Sequence, residues 1–228
     1  MIEIAQEVRK RFPTLSVAVI EVLGVSVYST RRGRPEELEE FVRDAVREIR
    51  EKYQLSTLKD IPLFRAYRDF FWRLGIDPTK ERPSAEALVR RVLSGKPFPA
   101  INNLVDAYNV ASMLSGIPIA TFDADTIFGP KIELRFAKEG ELFIGIGMRK
   151  PVQLSGHELV MADGQGPIAI YPYRDSDRTK VTERTVRVLV VACGAPGVGA
   201  KKLIEAAELA AEYIKRFCGG ASNPIEVI

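Results

Sequence analysis

The chain has 228 residues, 46% hydrophobic and 28% charged, with a formal net charge of +3. That is the make-up of a globular protein with room for a substantial core. No run approaches the roughly 18 apolar residues of a membrane span, the charged opening MIEIAQEVRKRF is unlike a secretory signal, and the expected location is the cytoplasm. Two cysteines, Cys193 and Cys218, and one histidine, His157, exclude a disulfide framework and a multi-histidine metal site. They leave little for a serine or cysteine triad, and no metal or cofactor is expected.

In chain order, LSVAVIEVLGVSVY (Leu15 to Tyr28) predicts a strand. A helix should begin at Pro35, where the missing N–H costs least, with Leu38, Phe41, Val42, Ala45, Val46, Ile49 and Tyr53 on one stripe. Phe64, Tyr67, Phe71 and Leu74, with Gly75 beyond, predict another helix. Ser84 as cap, Leu88, Val89 and Val92 before Gly95 predict the next, and Asn103 to Leu114 a fourth. From Arg65 to Lys96 eight basic residues face four acidic ones, the pattern of either two solvated helix faces or a surface turned to RNA.

From Ile117 the pattern changes to short strands separated by Gly, Pro and Asp: KIELRFA, ELFIGIG, ELVMAD, PIAIYP and TVRVLVVAC. A last helix should run from about Val198 to Phe217, packing through Leu203, Ala206, Ala207, Ala210, Ile214 and Phe217. Helices first and strands later favour an α+β architecture of packed sheets with flanking helices. We read residues 1–228 as a single domain, mostly helical over 1–98 and mostly β, with a C-terminal helix, over 99–228.

VVACGAPGVGAKKL, joining the final strand to the final helix, has the outline of a phosphate-binding loop. The motif needs Lys and a hydroxyl directly after its second glycine. Counted from Gly194 that glycine is Gly199, and Ala200 stands in the lysine's place. No nucleoside triphosphate is therefore expected, and a tight strand-to-helix turn is the reading. What remains is acid, amide and hydroxyl chemistry in three stretches: FPAINNLVDAYN, PIATFDADTIFG and YPYRDSDRTKVTERT.

Those stretches carry a resemblance. The run INNLVDAYNVASMLSGIPIATFDADTI, followed by LRFAKEGE, ELVMADGQGPIAI and DSDRTKVTERT, resembles the B3/B4 domain of the phenylalanyl-tRNA synthetase β subunit, in order over roughly Pro99 to Val191. FRAYRDFFWRLGIDPTKERPSAEALVRRVLSG, upstream, resembles stand-alone proteins of the same superfamily. The resemblance implies a B3/B4-like α+β fold and a trans-acting deacylase that removes mischarged amino acids from tRNA. The alternative of the same fold is a module that binds tRNA or an amino acid without chemistry. Carried over by position, it implies Asp177 and Asp123 as catalytic residues, and we add the neighbouring Thr121 to them. Asn102, Asn103, Asp106, Asn109, Asp175, Ser176 and Thr179 would bind substrate; for Asp106 bonding to loop backbone is the competing role. Arg65, Arg68, Arg82 and Arg174 are candidates for tRNA phosphates, against structural ion pairs. Ala120 stands where the family has a histidine, and Asp175–Ser176 replaces a glycine pair, so Thr121, Asp123, Asp175 and Asp177 should make one pocket of unusually acidic character.

Overall fold

Two five-stranded sheets share one apolar core. The computed structural model describes residues 2–228, which form β1 (Ile2–Ile4), α1 (Gln6–Arg11), β2 (Val17–Leu23), α2 (Glu36–Lys52), α3 (Pro62–Arg73), α4 (Ser84–Leu93), α5 (Asn103–Ser115), β3 (Ile119–Asp123), β4 (Ile132–Phe136), β5 (Leu142–Phe143), β6 (Val152–Gln153), β7 (Leu159–Asp163), β8 (Gly166–Ile170), β9 (Arg174–Asp175), β10 (Arg187–Cys193), α6 (Ala200–Cys218), β11 (Ala221–Ser222) and β12 (Glu226–Val227). One sheet runs β1-β4-β7-β8-β9, parallel only between β1 and β4; the other runs β11-β2-β10-β3, with β12 also on β2. β5 and β6 form a separate hairpin. Among the described residues no helix is long and apolar enough to cross a membrane.

β10 lies between β2 and β3 and is buried almost throughout, which explains why VLVVA reads as a continuous apolar run rather than an alternating one. α6 packs over β2 and β10, its Ala206, Ala207 and Ala210 allowing a close approach. The core that holds Val188 and Val190 also contains Leu134, Met161 and Ile168 of the other sheet. A second cluster, with Leu38, Val42, Ile49, Val89, Val92 and Met113, fills the space among α2, α4 and α5. α5 serves both: Leu104, Ala107 and Ala111 enter the first core, Val110 and Met113 the second.

Several boundaries differ from the sequence expectation. β2 stops at Leu23 because Gly24 turns the backbone to φ 74°. Pro35 caps α2 rather than opening it, and Pro83, not Ser84, occupies the cap of α4, whose Ser84 makes no capping bond. ELFIGIG yields only the two residues of β5, since Gly145 and Gly147 break the run. The N-terminal third supplies a strand to each sheet, β1 and β2. The glycine loop has a packing reason: a Cβ on Gly194 would lie 2.2 Å from the Ser16 carbonyl oxygen.

Candidate functional site

α5 is the floor of the site, and its fixation begins with its own polar residues. The Asn102 side chain caps the helix by accepting from the Val105 N–H at 2.8 Å. Asn103, fully buried, accepts from the Tyr28 N–H and donates to the carbonyls of Ser26 and Phe217, each at 2.9 Å. Asp106, also fully buried, accepts from the Thr30 hydroxyl and Arg34 Nε at 2.7 Å and from the Ile101 N–H at 3.0 Å. A buried charge is tolerated where a partner and hydrogen bonds surround it in this way. Asn103 and Asp106 thus tie distant loops to α5 and present nothing to a ligand.

The outward face of α5 carries Val105, Tyr108 and Asn109, at the i, i+3, i+4 spacing of one helix surface. They line a cavity of about 890 Å³ with Asn102, Thr121 of β3, Asp175 of β9 and Asp177 just beyond. A smaller pocket of about 90 Å³ lies alongside; Tyr108, Asn109 and Asp175 line both, and its far wall is Ala120, Met161, Ala169 and Cys193. Asp175 is half-buried, and it stands where these two hollows meet. Among the described residues its carboxylate has no hydrogen bond or ion pair, and burial raises its pKa to about 7. Tyr108 is also pushed up, first by burial and then by the Asp175 charge, with the Thr121 hydroxyl acting in the opposite direction.

Asp177 is more open and differently placed: its Oδ1 accepts from Lys180 Nζ at 2.6 Å. Asp123 does not join it in the cavity. It is buried, accepts from the Thr185 hydroxyl at 2.6 Å and the Asp125 N–H at 3.1 Å, and so closes a turn between β3 and the start of β10. The expected acidic quartet is therefore reduced to Thr121, Asp175 and Asp177, because Asp123 has a hydroxyl of its own fold to satisfy it. Ser176 and Thr179 are buried as well. The Ser176 hydroxyl donates to the Ile144 carbonyl, and the Thr179 carbonyl accepts from the Asp123 N–H. His157 is exposed and lines a separate hollow with Arg11 and Trp72. Both cysteines are buried and free.

The four arginines part company. Arg65 is exposed between Asp60 and Asp69, and Arg68 bonds the fully buried Glu86 at 3.0 Å, so the structural ion pair is the geometry found at both. Arg82 and Arg174 instead line a third cavity, of about 680 Å³, that borders the small pocket at Asn109, Tyr173 and Arg174. The stem of Arg174 lies against Gly145, where a Cβ would be only 2.7 Å from it. Sequence reasoning missed Tyr108, Tyr173 and Lys180. Tyr108 was within reach, since it shares a helix face with Asn109; nothing local marked the other two.

A family model described as the B3/4 domain matches residues 66–219, about two thirds of the chain. The chain belongs to the B3/4 domain family. Stretches of it are similar to phenylalanine–tRNA ligase β subunits: 30% identical over 129 residues to that of Protochlamydia amoebophila, covering 57% of this chain and 16% of that protein. The match to the Synechocystis subunit is 32% over 150 residues, 63% of this chain and 18% of that protein. This B3/4 protein thus spans less than a fifth of the length of those relatives. Its fold is similar to an N-terminal fragment of the phenylalanyl-tRNA synthetase β subunit from Pyrococcus horikoshii, with a TM-score of 0.53 and 13% identity over 97% of this chain and 50% of that one.

Proposed function

We propose that this B3/4 protein is an aminoacyl-tRNA deacylase acting in trans, with residues 1–228 working as one domain in the cytoplasm. The observation that carries the reading is the position of Asp175: a carboxylate unpaired among the described residues, poised near pH 7, between a small apolar pocket and a large polar cavity. An aminoacyl ester is already activated, so orienting water and stabilising the oxyanion suffice for hydrolysis. Asp175 takes a proton from the attacking water as its oxygen bonds to the ester carbonyl carbon. The Tyr108 and Thr121 hydroxyls and the Asn109 amide are the donors at hand for the carbonyl oxygen. When the C–O bond to the ribose breaks, the proton on Asp175 returns to the leaving oxygen. Asp177, whose Oδ1 accepts from Lys180 and whose Oδ2 has no partner among the described residues, holds the substrate's α-ammonium.

The test is a panel of correctly and incorrectly charged aminoacyl-tRNAs. We expect turnover of a subset, a fall of about 10² to 10⁴-fold in kcat for Asp175→Asn, and for Asp177→Ala a change mainly in KM. Full activity of Asp175→Asn would reassign proton transfer, and a terminal deoxyribose substrate would then show whether the vicinal hydroxyl supplies it. The binding-module alternative draws on Ala120 in the histidine's position and on Asp177 being paired by Lys180; tRNA binding with no turnover of any ester would decide for it.

A further inference from the structure

The third cavity differs from the other two in charge. Six cations line it, Lys80, Arg82, Arg90, Arg91, Lys96 and Arg174, against one lining carboxylate, Glu81. Arg90 is engaged with Glu86 at 2.6 Å, and Arg91 donates to the Pro97 carbonyl. Among the described residues the side chains of Arg82, Lys96 and Arg174 have no hydrogen bond or ion pair with any other residue, and Lys80 has only the charge of exposed Asp77 acting on it. Arg65 and Arg68, outside the cleft, are by contrast each set against a carboxylate. At the inner end of the cleft Ser84 opens α4 with its hydroxyl uncommitted, the positive end of a ten-residue helix facing the same space. The large cavity on the far side of Asp175 is balanced instead, with Arg31, Lys180 and Arg184 against Asp175, Asp177 and Glu183.

We infer that the cleft along α4 seats the phosphates of a single-stranded RNA 3′ end, with the terminal ester lying beyond Arg174 at Asp175. The inference rests on the aminoacyl-tRNA reading and gives it a direction. An aminoacylated RNA is a polyanion with a cationic tip, and the site is a basic cleft that leads, through Asn109 and Arg174, to a pair of carboxylates. Tyr173, which borders both the cleft and the small pocket, adds an aromatic face at the turn of the path.

The experiment measures tRNA affinity by fluorescence anisotropy across a salt series, for wild type, Arg82→Glu/Lys96→Glu, and a control, Arg9→Glu/Lys10→Glu, at exposed positions of α1. Arg82 and Lys96 are both exposed, and thermal melting checks that the variants fold. We expect the cleft variant to bind roughly tenfold or more weakly at low salt and its log–log salt slope to shrink by about two, while the control keeps the wild-type slope. Removing the single-stranded 3′ end of the tRNA should weaken wild type and leave the cleft variant nearly unaffected. Equal affinity and slope in the cleft variant, or competition by polyglutamate as effective per charge as by RNA, would overturn the inference. Binding that changes as expected in a protein that hydrolyses no ester would keep the cleft and remove the deacylase; hydrolysis of an aminoacyl-adenosine ester by a wild type that binds no tRNA would do the reverse.

Discussion

Among the described residues the Asp175 carboxylate has no hydrogen-bond or ion-pair partner, and that single fact links stability to chemistry. Its carboxyl is held at a pKa of about 7, well above an unfolded aspartate, because burial disfavours the charged form. Between the two values the folded state binds the proton and the unfolded state does not, so its contribution to stability is complete at acid pH and declines as pH rises towards 7. At about 1.4 kcal/mol per pKa unit the effect is a few kcal/mol. Asp175→Asn should therefore be more stable than wild type at pH 8, and the two should converge near pH 4, read from urea midpoints at both pH values. The same residue predicts that kcat rises through pH 7 as the base ionises. A pH-independent difference in stability between the two proteins would show that Asp175 is not the titrating group.

At the scale of elements, the site depends on α5 being held in one register. Asp106 joins the helix to Thr30, Arg34 and the Ile101 N–H, and Arg34 continues to Glu39 at 3.0 Å and the Pro99 carbonyl. Arg34 also lies over the Phe98 ring. Removing Asp106 leaves the Thr30 hydroxyl and the Ile101 N–H without their acceptor and takes from Arg34 one of its two carboxylates, at a summed cost of about 3–5 kcal/mol. Asp106→Ala should lose about that much in urea denaturation, whereas Asn102→Ala, which deletes only the cap, should lose about 1 kcal/mol. If Asp106→Ala were as stable as wild type but inactive, Asp106 would belong to the chemistry rather than to the anchoring of α5.

Across the whole molecule, the N-terminal segment ties the helical portion to the first sheet. β1 pairs with β4, and Phe12, just after α1, stacks edge-on to Phe70 of α3 at 5.0 Å between ring centres. Ile2, Ile4, Val8 and Phe12 are all buried in the shared core. Phe12→Ala should cost about 3–5 kcal/mol and should lower a single unfolding transition followed both by far-ultraviolet and by Trp72 fluorescence. Two separated transitions would show that the helical portion and the sheets fold as independent units, against the single-domain proposal.

Helices were legible in the sequence because a buried stripe at 3.6-residue spacing is a local signal: Leu38 through Ile49 and Leu203 through Ile214 show it. β1 was not, since three residues that pair in parallel with a strand 130 positions away carry no periodicity to read. Sequence by itself determined the α+β class, the B3/4 resemblance in its motif blocks, the failure of the glycine loop to match a triphosphate site, and the polar stretches from which the site is drawn. Only the tertiary structure decided which of those polar groups face a ligand. Asp106, Asn103 and Asp123 are satisfied by Thr30, Ser26 and Thr185, each more than sixty positions away, while among the described residues the Asp175 carboxylate is left without a hydrogen bond or ion pair. A carboxylate's role is set by what surrounds it in three dimensions, and burial, pairing and pKa all depend on neighbours that the chain brings together only on folding.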